Sequence, residues 1–265
     1  MKTGFIGGGK MAEAVIVSLI GSKHATAHEV FVSDISPDRR ALLKKDHGIN
    51  VYSRNRDVVG AADVVFLAVK PQDLDEILTE IAPDVTPNHL VISIAAGKRI
   101  ARMESILPEA RVVRVMPNLP CTVREGMSVY CLGSRATAAD GKLVKSLLSS
   151  CGRVLELPEE RFDVVTALSG SGPAFFAYVL HCMVDAGVLG GLERADALLL
   201  AEQTMQGTSR LLQEKGLDPM DLVKSVASAR GTTAAGLEVL DHSALGLTIQ
   251  RTIQAATNRS RELSQ

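Results

Sequence analysis

The chain has 265 residues, enough for one or two domains with a sizeable core. Its hydrophobic fraction of 46%, charged fraction of 22% and formal net charge of −1 are ordinary for a soluble protein and supply no basic field for a polymer of phosphates. With no Trp, three Tyr and six Phe, base-stacking platforms are scarce too, so no nucleic-acid partner is expected. Cys121, Cys131, Cys151 and Cys182 show no C-x-x-C spacing and nothing at the start reads as a leader, which points to a reduced, cytoplasmic setting. No metal is expected: His24 and His28 stand four apart among Ala and Thr with no third ligand near them.

Lys2 to Ile6 reads as a short strand, followed by the glycine turn Gly7-Gly8-Gly9 and an amphipathic helix from Lys10 to Ile20. Val30 to Ser33 forms the next strand and ends in Asp34, 22 residues beyond Ala12. That order and spacing fit a dinucleotide site. Gly7 turns the chain, Gly9 lets backbone approach a pyrophosphate, Ala12 packs helix on sheet, and Asp34 meets a ribose hydroxyl. Pro37 to His47 then reads as helix, Asn50 to Ser53 as extended, Ala62 to Val69 as a buried strand and Pro71 to Ile81 as helix. Leu90 to Ile94 and Arg111 to Met116 continue the strands. Met127 to Cys131 and Arg153 to Leu157 are weaker ones flanking a helix from Ala136 to Ser150. This alternation is the rhythm of a doubly wound parallel sheet, and it predicts a dinucleotide-binding domain over 1–158.

From 159 to 265 the period becomes 3.6 and no strand is expected. Pro173 to Val188, Arg194 to Gln213, a segment opened by Asp218-Pro219, Thr232 to Leu240 and Leu245 onward all read as helices. Val164 to Leu192 is very apolar, yet Ser169 to Pro173 and Asp185 interrupt it, so a buried helix pair is expected rather than a membrane span. These faces are too apolar for short helices to bury alone, which predicts an all-α domain completed by a second copy of the chain.

Three loops follow strand ends where an open parallel sheet places its ligands: Ala68-Val69-Lys70-Pro71, Ala95-Ala96-Gly97 and Met116-Pro117-Asn118. Small residues there admit a flat ring, and Asn118 offers both donor and acceptor. In the helical part, Ser169-Gly170-Ser171-Gly172-Pro173 carries glycines where bulk could have served, suggesting close approach by a ligand or backbone. Ser228-Ala229-Arg230-Gly231-Thr232-Thr233 opens a helix with free N–H groups and hydroxyls, a ready seat for a carboxylate.

These motifs, with Arg124-Glu125-Gly126 and Asp163-x-Val165-Thr166-x-Leu168 before the glycine-rich block, together resemble pyrroline-5-carboxylate reductases over essentially the whole chain. The resemblance implies a Rossmann domain followed by an all-α dimerisation domain, dimers assembled into decamers, and NADPH or NADH as cofactor for reduction of a cyclic imine to L-proline. It places cofactor contacts at Ile6, Gly7, Gly8, Gly9, Lys10, Met11, Asn55, Ala68, Val69, Lys70, Pro71, Ala95, Ala96 and Gly97, to which the residues themselves add Asp34, Ser36 and Asn118. Substrate contacts fall on Glu159, Thr232 and Thr233, with Ser228 and Gly231 in the same turn. The chain departs from the family at Arg230, a usual glycine position, and at Ser225, where some members carry Asn.

An iminium carbon accepts hydride without a strong acid beside it, so the site mainly has to position, and Thr233 is expected to hydrogen-bond the ring nitrogen. That requires the Thr turn to face the reducing ring, with a second copy completing the gap. Cofactor choice stays open. Asp34 suits a 2′-hydroxyl, whereas Ser36, Arg39 and Arg40 suit a 2′-phosphate. Two other readings compete. A β-hydroxyacid dehydrogenase would want a lysine within Val164 to Leu192, which holds none, and a nucleotide sensor would need no Thr-Thr turn.

Overall fold

The computed structural model describes residues 1–264 and divides them into two compact units. The first runs from Met1 to Ser171 and takes back the chain from Ala256; the second is Gly172–Ala255.

In the first unit, strands and helices alternate. Strand β1 (Thr3–Ile6) leads to α1 (Lys10–Gly21), β2 (Val30–Ser33) to α2 (Pro37–His47), and β3 (Asn50–Tyr52) to α3 (Asn55–Ala61). Strands β4 (Val64–Leu67), β5 (Leu90–Ser93) and β6 (Arg111–Met116) are joined through α4 (Leu74–Ile81) and α5 (Ile100–Ile106). Strand β7 (Gly126–Leu132) reaches β8 (Gly152–Glu156) through α6 (Ala138–Leu148). One sheet holds all eight in the order β3-β2-β1-β4-β5-β6-β7-β8, parallel except between β6 and β7. The order reverses between β1 and β4, and this switch is where the crevice opens.

Local chemistry sets the helix ends. Ser36 caps α2 by accepting the Arg39 N–H, Pro37 supplies its first φ, and Gly48 ends it at φ +67°. Thr137 and Asp140 form a reciprocal capping box on α6. The four residues of β1, β4 and β5 are buried throughout, as strands covered on both faces must be, and Phe5 stacks on Phe66 at 4.7 Å. Two helices, α3 and α5, do not appear in the sequence reading. Each has seven residues, too few to show a helical period.

The sheet ends at Glu156, close to the expected boundary at Pro158, but packing carries the unit on to Ser171. Helix α7 (Phe162–Val165) buries Phe162 and Val165 in the core on one side of the sheet. Arg114 of β6, 4% exposed, lies over the Phe162 ring at 4.6 Å and pairs with Glu159 at 2.8 Å. A guanidinium taken from water needs both partners, so this pair ties the segment after β8 to the sheet. Residues Thr166–Gly170 form one wide π-turn.

In the second unit, α8 (Gly172–Leu189) packs against α9 (Arg194–Lys215), which ends at Gly216 with φ +61°. Helices α10 (Pro219–Val226), α11 (Thr232–Asp241) and the first part of α12 (Leu245–Leu263) follow, α12 passing into the first unit at Ala256 and α10 capped by Asp218 through the Met220 N–H. The second unit's buried apolar cluster is only Val184, Ala197 and Ala201, with Leu180 against them.

Candidate active site

The cleft at the β1/β4 switch has a volume of about 620 Å³. Gly7 makes its floor turn at φ +90°. A Cβ there would stand 2.6 Å from the Ala68 carbonyl, so only glycine lets the β1 and β4 loops close on each other. Gly9 has nothing within 4 Å of where its Cβ would be, leaving the backbone at the start of α1 open to a phosphate group. No side chain caps α1, so its first N–H groups remain available.

Most of the expected cofactor residues meet here: Ile6, Gly7, Gly9, Asp34, Ser36, Asn55, Ala68, Val69 and Lys70 all line this cleft. Gly8 is buried instead. Its Cβ would strike Leu43 of α2 at 2.6 Å, so packing demands the glycine, while its backbone is gripped on both sides of the residue. The Gly8 N–H donates to Asp34 Oδ2 at 2.8 Å and its carbonyl accepts from Arg39 Nε at 2.5 Å. Lys10 is exposed and Met11 half-buried at the start of α1.

The remaining residues spread further. Pro71, Ala96 and Gly97 line an adjacent cavity of about 430 Å³ together with Thr166, Ser260 and Leu263. A Cβ on Gly97 would meet the Leu263 carbonyl at 3.1 Å, so the end of α12 accounts for that glycine. Ala95 is buried, its N–H on Ser93 Oγ. Asn118 holds protein to protein: its amide donates to the Ser169 carbonyl at 3.2 Å and its oxygen accepts the Met127 N–H at 2.8 Å, pinning the π-turn and the start of β7.

The expected substrate residues do not share one unit. Glu159, in the first, spends a carboxylate oxygen on Arg114 and on the Ile100 N–H, each at 2.8 Å. The other four belong to the second unit. There the Gly231 N–H closes a turn on the Ser228 carbonyl at 3.0 Å, and Gly231 stands at the N-cap of α11 with no side-chain cap. The N–H groups of Thr232, Thr233 and Ala234 open that helix and have no partner within it. A Cβ on Gly231 would overlap Ser228 Oγ. Arg230, exposed just before it, adopts φ +61°.

Sequence reasoning missed the ring of groups behind the glycine loop. Arg39 Nη2 reaches Glu13 at 2.6 Å and His47 Nε2 lies 2.9 Å from the same carboxylate. The hydrogen bond from Arg39 and then that from His47 hold the Glu13 carboxyl below its ordinary value. The acid standing three residues into α1 was the only available signal. Elsewhere burial pushes the Cys131 thiol up to about 12 and raises Cys121, so neither offers a thiolate at neutral pH.

A glycine turn at the switch of a parallel sheet, an open helix start and a carboxylate at the tip of the adjacent strand together receive a dinucleotide, and fold and cleft define an NAD(P)-dependent oxidoreductase. Residues 2–97 match the family described as NADP oxidoreductase, coenzyme F420-dependent, and residues 159–263 match pyrroline-5-carboxylate reductase dimerisation. The chain is 38% identical over 264 residues to pyrroline-5-carboxylate reductase from Arabidopsis thaliana, covering 100% of this chain and 96% of that one. A solved pyrroline-5-carboxylate reductase from Coxiella burnetii superposes with a TM-score of 0.94 at 32% identity, covering 100% and 98%. The Plasmodium falciparum enzyme, solved with NADP bound, gives 0.89 at 30%, again covering 100% and 98%. The chain belongs to the pyrroline-5-carboxylate reductase family and reduces 1-pyrroline-5-carboxylate to L-proline with NAD(P)H.

Proposed function

We propose that the chain catalyses the last step of proline biosynthesis by positioning rather than by acid–base chemistry, and that the turn at the start of α11 holds the imine. The observation that carries this reading is the uncapped helix start formed by Gly231, Thr232 and Thr233. Its N–H groups and the helix dipole receive the substrate carboxylate, with Ser228 fixing the bend through its carbonyl. The Thr233 hydroxyl oxygen accepts from the protonated ring nitrogen, orienting the C=N carbon. When bound, the reduced nicotinamide supplies the hydride; the carbon gains a C–H bond and the nitrogen keeps its proton as the amine of proline. The cleft residues Gly7, Gly9, Asp34 and Asn55 hold the dinucleotide.

The reading extends to a homodimer, five of which form a decamer, in the cytoplasm and without nucleic-acid or membrane partners. The near-neutral charge supports it, as does the apolar surface of α8 and α9, which suits a second copy. An absorbance assay with pyrroline-5-carboxylate tests the core of it. Thr233→Ala lowers kcat/KM by roughly 10- to 100-fold with dinucleotide affinity unchanged. Wild-type kinetics in that variant would remove Thr233 from the mechanism.

A further inference from the structure

The chain carries three groups able to greet a 2′-phosphate, Ser36, Arg39 and Arg40, beside one that opposes it, Asp34. Their arrangement decides between them. Asp34 is fixed at the end of β2 by two backbone donors, the Gly8 N–H on Oδ2 at 2.8 Å and the Ser36 N–H on Oδ1 at 2.9 Å. A carboxylate accepts about four hydrogen bonds, so two sites remain for the hydroxyls of an adenosine ribose in the cleft.

The cations are turned to other work. Arg39 is 22% exposed in its side chain, with Nε on the Gly8 carbonyl and Nη2 on Glu13. The hydrogen bonds from Arg39 and His47 hold the Glu13 carboxyl below its ordinary value, so Arg39 faces an anion at neutral pH. Arg40 donates through Nη1 to the Asp34 carbonyl at 2.5 Å. Ser36 Oγ accepts the Arg39 N–H as the cap of α2, which leaves this neutral group only its O–H to offer. The cleft is lined by the acids Asp34, Asp73, Glu76 and Glu80 against a single base, Lys70. A 2′-phosphate would bring nearly two further negative charges into that field.

We infer that Arg39, locked by Glu13 against the glycine loop, is a positioning residue for that loop and not a reader of phosphate, and that this chain therefore selects NADH over NADPH. The inference rests on the reductase reading, since it concerns the dinucleotide that serves it. It also explains the two-ended grip on Gly8: Asp34 holds the peptide before this residue and Arg39 the peptide after it, so the loop meets the pyrophosphate already shaped.

Calorimetric titration of the full-length protein with NADH and with NADPH tests it, paired with kcat/KM for each on pyrroline-5-carboxylate. NADH is expected to bind about tenfold tighter or better, because opposed like charges are costly in a cleft, and kcat/KM follows the same order. Glu13→Gln releases Arg39 and narrows the ratio several-fold toward NADPH. Glu80→Gln, which removes a cleft charge without touching the loop, narrows it as well and keeps the test open if the first variant folds poorly. Equal or tighter binding of NADPH by the unaltered protein overturns the preference, and a ratio unmoved by Glu13→Gln overturns the assignment of Arg39. Failure to reduce the imine with either dinucleotide refutes the reductase reading instead, a result distinct from both.

Discussion

The sheet unit and the helical unit solve the problem of burial differently. In the first, two clusters of fully buried side chains flank the sheet, and polar side chains that enter the interior are paired, as Arg114 is with Glu159. In the second, only three apolar residues form a buried cluster, while Phe176 is 64%, Leu199 66% and Val239 71% exposed. A sheet covered on both faces completes its own core; a set of helices this apolar does not, and the dimerisation match over 159–263 says what covers it. The lesson is that the larger, sheet unit completes its core by its own fold, whereas the smaller, helical unit leaves its apolar faces for self-association.

The largest effect should come from charging the exposed face. Replacing both Leu199 and Leu200 by Glu abolishes self-association in sedimentation analysis and with it imine reduction, while the sheet unit still binds dinucleotide. A double variant that still self-associated would erase the contrast between the units. Next, Phe66→Ala removes half of the stacked pair in the sheet core and costs about 3–5 kcal/mol in denaturant unfolding, with self-association unchanged in sedimentation analysis. A smaller change of opposite sign is expected at Arg230→Gly. The left-handed conformation there costs a side-chain-bearing residue about 1 kcal/mol, so the glycine variant melts slightly higher.

The smallest effect is in pH. Because folding lowers the Glu13 pKa from its ordinary value, the stabilisation it gives is complete above that value and is lost as pH falls through the folded one. The difference in melting temperature between the wild type and Glu13→Gln should therefore be flat above about pH 5 and shrink in more acid solution. A difference that grew on acidification would show that Glu13 does not hold Arg39 as an anion.

Much of the fold is legible along the chain, element by element. The glycine turn after β1, the buried runs of β4 and β5, both ends of α2, and the starts of α8, α10 and α11 all stand within a residue or two of their expected places. The short helices α3 and α5 are silent because seven residues do not complete two turns. Of the site, the residues around the cleft were readable because loops after strands β1, β2 and β4 must converge at the switch. Asn118 and Gly97 were readable as a polar and a small residue in loops after strand ends, and Glu159 only through the family resemblance, but their partners, Ser169 and Met127, Leu263, and Arg114, were not.

By itself, then, the sequence determined what local chemistry dictates: the alternation of strand and helix, the turn that only Gly7 can make, the acid at the tip of β2 and the open helix start at Gly231. Only the tertiary structure decided which group each charge would meet. Arg39 went to Glu13 and the loop, Arg114 was buried under Glu159, and the end of α12 returned to the sheet unit beside Gly97. The reason is one of range. Backbone conformation responds to neighbours a few residues away, whereas a long charged side chain selects its partner from everything folding brings within its reach, tens of residues off in the chain.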